Sequence, residues 1–476
     1  MKEVNVLFPL QSGTAEETMY SIGNELKKIS QGKVNPIFLW ITKMFRKHAK
    51  EKYIGEDCVE DIVKKYSLDP AYIDAYYRAL RYDNIDIGNV ARINMVETPQ
   101  VSLDNLFNQS IIYLHASKNY LIDKKIDCII FITARGLFQR SIGIMAREMK
   151  ILTLYLCDAL IPGDALHIWD CENDASDDLR NIKLNELTDS EKKELDEFIK
   201  SQKQTKLISE SPYEKGSIYK KVKPFFRMVY SNLFIDSGLY CAKGPCGLAT
   251  DELLKKISPY FAKRFYDRTP VDEIGKYILL PYQIYYDLLL PLMWPEYSNI
   301  EYLTDICAKA LPEGYKLVVK EHPHFKGGTP LSELKRISKK KNVVLVPVET
   351  NIQDLIKHSS AVIVVCSNVG WQALMYYKPV IVLNSTYNKD FRFYYDDYGI
   401  TFNVKDLSDL PHALKKSLGT KLDTNKINSF LYNVIMKQRK GSKILCPVDY
   451  NKIGEEGNYR IVAEFLLKEL QKRDLV

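Results

Sequence analysis

The stretch VVCSNVGWQALMYYKPVIVLN, residues 364–384, contains a complete strand–turn–helix–strand unit. Apolar runs stand at both of its ends. Between them lie the polar turn Ser367-Asn368, then Gly370, and a segment of helical composition that stops before Pro379. Serine and asparagine are favoured at helix N-caps, and proline cannot continue a helix. The unit is therefore typical of a parallel sheet covered by helices on both faces.

The same alternation extends through the rest of the chain and predicts two α/β domains. Strands are predicted from apolar runs with helical segments between them, at 4–9, 36–40, 126–133 and 151–158, and again at KYILLPYQ, YKLVVK, NVVLVP, AVIVV and VIVL. We place an N-terminal domain at 1–275 with a polar excursion at about 163–215. A C-terminal domain follows at 276–450, and a last helix at 451–476 packs back on the domains.

Composition limits the class of protein. The chain has 476 residues, 46% of them hydrophobic, and a formal net charge of only +7, so several folded domains are expected. Lysine and glutamate alternate along most predicted helices, which indicates a solvated surface and no nucleic-acid partner. Nine cysteines without a C-x-x-C pair argue against a zinc site and favour the reducing cytoplasm.

No membrane span is predicted. The most hydrophobic window, YILLPYQIYYDLLLPLMWP at 277–295, is interrupted by prolines and an aspartate, whereas a span needs about 20 apolar residues. The apolar run near the N-terminus is too short for a signal peptide. The mildly basic charge leaves open a peripheral contact with the inner membrane surface.

Three sets of residues follow predicted strands of the C-terminal domain. The turn Ser367-Asn368 with Gly370 can bind an anion through free N–H groups, although Ser367 capping its own helix is the more common role. Lys320 and His322 follow the strand YKLVVK, where they suit a phosphate and where His322 can also move a proton. Gln283 can hydrogen-bond a base or hydroxyl, and packing of the neighbouring tyrosines is the alternative explanation.

The N-terminal domain offers a second set of candidates. Asp158 ends the strand LYLCD and can act as a base or nucleophile, or it can simply begin a turn. Arg135 follows the strand IIFIT and can hold an acidic group, or it can be a surface charge at a helix start. The loop QSGT after the first strand adds Gln11 and Gly13 as contacts to the donor sugar or acceptor.

Taken in order, these motifs resemble the capsule polysaccharide biosynthesis glycosyltransferases, whose members include Kdo transferases. The matching segments are Pro281-Tyr282-Gln283, Lys320-Glu321-His322-Pro323, Cys366-Ser367-Asn368-Val369-Gly370, Pro379-Val380, YYDDYGITF and, towards the N-terminus, Cys157-Asp158-Ala159-Leu160-Ile161-Pro162. The chain departs from the family pattern at Cys157, Ala159, Cys366 and Asn368.

The resemblance implies a GT-B architecture, in which two Rossmann-like domains with parallel sheets face a central cleft. By this resemblance His322 and the Ser367-Asn368 turn bind the donor phosphate, Gln283 contacts the nucleotide, Lys320 adds positive charge, and Asp158 is the catalytic carboxylate. The expected reaction transfers Kdo or a related acidic sugar from a CMP-linked donor to a polysaccharide or glycolipid, without a metal or other cofactor. Two alternatives stay open: transfer of a polyol phosphate from a CDP-alcohol, and a carbohydrate-binding or assembly protein without turnover.

Overall fold

The computed structural model describes residues 3–10, 14–41, 57–97, 102–131, 136–158, 166–169, 183–204, 258–283, 290, 294–323, 329–365, 367–384, 398–436 and 456–476. The strands are β1 (Val4–Leu10), β2 (Val34–Trp40), β3 (Asp57–Cys58), β4 (Arg81–Tyr82), β5 (Ile85–Asp86), β6 (Cys128–Phe131), β7 (Leu152–Asp158), β8 (Leu166–Trp169), β9 (Tyr277–Pro281), β10 (Lys316–Lys320), β11 (Val343–Val346), β12 (Ala361–Val364), β13 (Val380–Leu383) and β14 (Phe402–Val404).

Helices cover most of the connections between these strands. They are α1 (Thr14–Ile29), α2 (Val59–Lys65), α3 (Pro70–Ala79), α4 (Ile87–Glu97), α5 (Leu103–Asp123), α6 (Leu137–Glu148), α7 (Asp189–Gln204), α8 (Ile300–Lys309), α9 (Leu331–Ser338), α10 (Ile352–His358), α11 (Val369–Met375), α12 (Leu410–Gly419), α13 (Thr424–Phe430), which continues as a π-helix (Leu431–Met436), and α14 (Glu456–Lys472).

Two six-stranded sheets have the same topology. The first has the order β3-β2-β1-β6-β7-β8 and the second the order β11-β10-β9-β12-β13-β14. Numbered within its own sheet, each follows 3-2-1-4-5-6, the doubly wound order of the Rossmann fold. All ladders in both sheets are parallel except that of β8, which runs antiparallel to β7. The predicted α/β class with two Rossmann-like units is confirmed.

The first sheet is covered on both faces because successive side chains of its strands alternate between two cores. Val6 and Phe8 of β1 belong to a cluster that includes helices α1 and α14, whereas Leu7 belongs to the cluster on the opposite face. Helix α1 lies very close to β2 at Gly23, where a Cβ would come within 2.8 Å of the Phe38 ring. A glycine is therefore required for this helix-to-strand contact.

The second sheet has a core of its own. Its strands read as nearly continuous apolar runs, and Ile278, Val319 and Ile363 are among the residues buried in one cluster with the indole of Trp294. Tyr277 links β9 to α10, because its hydroxyl donates a 2.7 Å hydrogen bond to the carbonyl oxygen of Leu355. Buried strands of this kind are expected where helices cover both faces of a parallel sheet.

The chain divides differently from the predicted boundary near residue 275. Strand β8, inside the predicted polar excursion 163–215, is the edge strand of the first sheet. Helix α7 of the same excursion belongs to the second unit, where Tyr432 donates a 2.8 Å hydrogen bond to Glu194. The C-terminal helix α14 belongs to the first unit and buries Leu466 and Leu470 against α1.

Candidate functional site

The carboxyl edge of the second sheet brings together the three C-terminal sets of candidate residues. Gln283 follows β9, His322 follows β10, and Ser367 follows β12, with β9 lying between the other two strands. Neighbouring strands are about 4.8 Å apart, so the ends of β10 and β12 are separated by about 10 Å. The strand order reverses between β9 and β12, and ligands of doubly wound sheets bind at such a point.

The turn after β12 is closed by its own groups. Ser367 Oγ accepts a hydrogen bond from the N–H of Val369 at 3.2 Å, and the N–H of Gly370 donates to the carbonyl oxygen of Ser367 at 3.1 Å. Asn368 is exposed, and its side chain does not cap helix α11, which has only seven residues. The local capping role considered for Ser367 is therefore present, and phosphate binding at this turn stays a prediction.

Lys320 is buried, and its ammonium group binds main-chain carbonyl oxygens at the carboxyl edge of the sheet. Its side chain is only 4% exposed, and its Nζ donates hydrogen bonds to the carbonyl oxygens of Val348 at 2.9 Å and Glu321 at 3.2 Å. Burial lowers the pKa of Lys320 to about 8, against the attraction of Glu321 and Glu349. The ammonium thus joins the end of β10 to the segment after β11, and the expected contact with a donor phosphate stays a prediction.

Buried Glu321 and partly buried Tyr266 form a hydrogen-bonded pair directly beside His322. Glu321 is 1% exposed, and its Oε2 accepts a 2.5 Å hydrogen bond from the hydroxyl of Tyr266. Burial raises the pKa of the Glu321 carboxyl, and burial together with the neighbouring Glu321 raises the pKa of the Tyr266 hydroxyl. His322 itself is half-buried. The pair fixes the main chain at the position from which the imidazole projects.

Two amide side chains at this edge have buried atoms without a partner. Gln283 Nε2 and Asn384 Oδ1 are buried and find no hydrogen-bond partner among the residues that the structure describes. Asn384 follows β13, and its carbonyl oxygen accepts a hydrogen bond from Tyr297 at 3.1 Å. An unsatisfied buried polar atom costs about 1–3 kcal/mol, which a bound polar ligand would recover.

Sequence reasoning missed Asn384, Tyr266 and the role of Glu321. Asn384 had the same signal as Gln283, a polar residue at the end of an apolar parallel strand. Glu321 lies in the motif between Lys320 and His322, and nothing in that motif indicates that its carboxylate is buried. Nothing in the sequence pairs Tyr266 with Glu321, because 55 positions separate them.

The N-terminal candidates are described only in part. Asp158 is the last residue of β7, where its main chain pairs with Leu166 of β8. Its position at the carboxyl end of a parallel strand is therefore as predicted, while its side chain lies outside the described atoms. Gln11, Gly13 and Arg135 also lie outside the described residues.

The described part of the chain has neither a metal-binding cluster nor a membrane-spanning helix. Within those ranges, no three His, Cys, Asp or Glu side chains come close enough together to hold a metal ion. The expectation that catalysis needs no metal stays a prediction. None of the described helices is both long enough and apolar enough to cross a bilayer.

Solved structures with a similar arrangement of elements are distant from this chain. The β Kdo 2,7 transferase of Thermosulfurimonas dismutans KpsC is 15% identical over 71% of this chain and 85% of that chain, with a TM-score of 0.31. Its β Kdo 2,4 transferase is 15% identical over 64% and 78%, with a TM-score of 0.32. The UDP-GlcNAc 2-epimerase of Methanocaldococcus jannaschii is 12% identical over 91% and 99%, with a TM-score of 0.29. None of the activities in these names transfers to this chain at such low similarity.

A family model gives a more specific result. No curated protein matches the chain at a significant level. Residues 250–406, however, match the model of a family described as capsule polysaccharide biosynthesis protein. This range contains Gln283, His322 and the 367–370 turn, and it spans β9 to β14 of the second sheet. Residues 250–406 of the chain thus match the capsule polysaccharide biosynthesis protein family, in agreement with the resemblance of its motifs.

Proposed function

We propose that the protein is a glycosyltransferase of capsule polysaccharide biosynthesis that takes an acidic sugar, Kdo or a relative, from a CMP-linked donor. The acceptor is a surface polysaccharide or glycolipid. The observation that supports this most strongly is the position of Gln283, His322 and the 367–370 turn. They follow adjacent strands at the switch point of the second sheet, inside the region that matches the family.

The donor's phosphate is the group that these residues suit best. An imidazole at 322 can donate to a phosphate oxygen, and a charge-assisted hydrogen bond of this kind is stronger than a neutral one. Main-chain N–H groups around Asn368 would approach the phosphate from the side of β12. Gln283 Nε2 and Asn384 Oδ1 offer one donor and one acceptor for the ribose or the base. A single phosphate held in this way needs no metal ion.

The transfer breaks the bond between the sugar's anomeric carbon and the phosphate oxygen, and forms a bond from that carbon to an acceptor hydroxyl oxygen. The bonding electrons leave with CMP, so catalysis consists largely of stabilising the negative charge on the departing phosphate. In this proposal Asp158 takes the proton of the acceptor hydroxyl. Lys320, bound to main-chain carbonyls, would hold His322 in place and contribute long-range positive charge.

The proposal includes a cytoplasmic location with peripheral contact at the inner membrane surface, where a lipid-linked acceptor would be reached. It includes no nucleic-acid partner. Arg135, Gln11 and Gly13 are proposed to contact the donor sugar or the acceptor.

The experiment is a donor panel. The purified chain is incubated with CMP-Kdo, CDP-glycerol and common UDP-sugars, together with an extract of capsular glycolipid acceptors, and free nucleotide is measured with and without a chelator. We expect CMP from CMP-Kdo, unchanged by the chelator, and little product with His322→Ala. Release of CMP from CDP-glycerol alone would reject the donor, and no release from any donor would reject turnover.

A further inference from the structure

A cavity lies at the edge of the second sheet formed by β14, away from the strand ends described above. It has a volume of about 610 Å³ and is bounded by the edge strand β14, helix α12 and the start of α13. Pockets for small ligands usually measure about 300–1,000 Å³, so this one can hold a ligand of several rings. The segment Gly399–Phe402, part of the family-like motif YYDDYGITF, lines it, and the proposed transfer does not use that segment.

Three lysines and two aspartates line this cavity, so positive charge is in excess there. Lys416, Lys421 and Lys426 are exposed, and none has an ion pair or side-chain hydrogen bond within the described part of the chain. The two lining aspartates are Asp409 and Asp423, and the Asp423 carboxylate accepts a 3.0 Å hydrogen bond from the N–H of Lys426. Surface lysines are more usually spread singly or paired with acids. Three lysines without an ion pair, against two aspartates, leave an excess of positive charge that favours an anionic ligand.

The position of Lys426 is constrained by the chain opposite. Gly399 has a φ of +58°, in the left-handed region that glycine adopts readily, and a Cβ there would lie 3.4 Å from Lys426 Nζ. The ammonium group therefore lies against the main chain at the start of the family-like segment.

The remaining lining is suited to a sugar chain. Apolar side chains, among them Ile400 and Phe402, can contact the C–H faces of sugar rings. The side chains of Thr401 and Asn403, joined by a 3.0 Å hydrogen bond, are exposed or half-buried and can bind hydroxyls. A flat membrane surface would not fill a concave site of this size.

We propose that this cavity binds a carboxylate-bearing oligosaccharide, with its carboxylates on Lys416, Lys421 and Lys426 and its rings on the apolar lining. In the proposed transfer, this oligosaccharide is a segment of the acidic acceptor chain, so that role rests on the proposed function. Binding of the oligosaccharide itself does not need the donor site.

The test is isothermal titration calorimetry of the full chain with tetragalacturonate, a carboxylated probe, and with maltotetraose, its neutral counterpart. We expect tetragalacturonate to bind at least roughly tenfold more tightly than maltotetraose at about 50 mM salt, with an affinity that falls as salt rises. Lys416→Gln/Lys426→Gln is expected to lower this affinity by roughly tenfold or more, since two charge-assisted contacts are lost.

The matched control is Lys415→Gln/Lys357→Gln, which removes the same charge from exposed lysines that do not line the cavity. It should bind tetragalacturonate like the wild type. The proposal is overturned if the wild type does not bind the acidic probe, binds both probes equally, or loses affinity equally in both double variants. Because no donor is present, a failure here is distinct from a failure of the donor panel.

Discussion

The hydroxyl of Tyr266 donates a 2.5 Å hydrogen bond to Glu321 Oε2, and Glu321 immediately precedes His322. Glu321 is buried and Tyr266 is partly buried in the second unit, on segments 55 positions apart. The hydrogen bond joins the chain before β9 to the chain after β10. It is therefore one of the contacts that orient the end of β10, and His322, the proposed phosphate-binding residue, follows that end.

Tyr266→Phe removes this donor and leaves the buried Glu321 carboxyl with less hydrogen bonding. The expected loss in the free energy of unfolding of the second unit is about 1–3 kcal/mol, together with weaker CMP binding, because His322 loses its support. Denaturation followed by circular dichroism measures the first effect and calorimetry the second. Tyr260→Phe is the control, because Tyr260 is 74% exposed on the same segment. Equal behaviour of the two variants would show that the Tyr266 hydroxyl has no such role.

His322→Ala is expected to weaken CMP binding by roughly ten- to a hundredfold, the loss of one charge-assisted hydrogen bond. The fold should persist, because the half-buried imidazole stands after a strand end rather than in a core cluster. Calorimetric titration with CMP and a thermal melt measure the two properties. His358→Ala, an exposed histidine at the end of α10, is the matched variant and should bind CMP normally. Unfolding of the His322 variant would instead assign that residue a structural role.

Lys320 predicts a defined dependence of stability on pH. Burial lowers its pKa from 10.5 to about 8, so between these values the unfolded chain holds more protons than the folded protein. The free energy of unfolding contributed by this lysine therefore rises with pH in that window. From about pH 7.5 to about pH 9.5, the free energy of unfolding of the wild type minus that of Lys320→Met should increase by on the order of 2 kcal/mol.

Hydrogen exchange of the amides in β10 and β11 measures this difference within the second unit. Tyrosines, with a pKa of about 10 in the unfolded chain, also begin to ionise in this window, but their contribution is common to both proteins and cancels in the difference. A difference that stays constant over the window would mean that Lys320 has an ordinary pKa.

Helix α14 is expected to stabilise the first unit through its buried face. Leu466→Ala removes a fully buried side chain from the cluster shared with α1 and should cost about 2–5 kcal/mol. Ile461→Ala, on the same helix but 40% exposed, should cost much less. Exchange protection of amides in β1 and β2 is the measurement. Similar losses for both variants would argue against packing of α14 on this sheet.

The sequence was most informative for the second sheet. Strands β9 to β13 are buried on both faces and read as nearly unbroken apolar runs, followed by polar residues such as Gln283 or Ser367. That pattern is local, so it predicted both the strands and the edge at which the candidate residues gather.

Other features depend on contacts between distant parts of the chain. The burial of Lys320 requires the carbonyl oxygen of Val348, which belongs to another strand connection. The packing of α7 on the second unit requires Tyr432 and Gln353, far along the sequence. The hairpin β4–β5 has two-residue strands, too short for any periodic signal.

The central claim is that His322 and the main-chain amides around Asn368 bind one and the same phosphate. The most direct measurement is a crystal structure of the protein with CMP. The account predicts one phosphate within hydrogen-bonding distance of both the His322 imidazole and an N–H of the 367–370 turn. A nucleotide that contacts only one of these two groups, or that binds elsewhere, would contradict it.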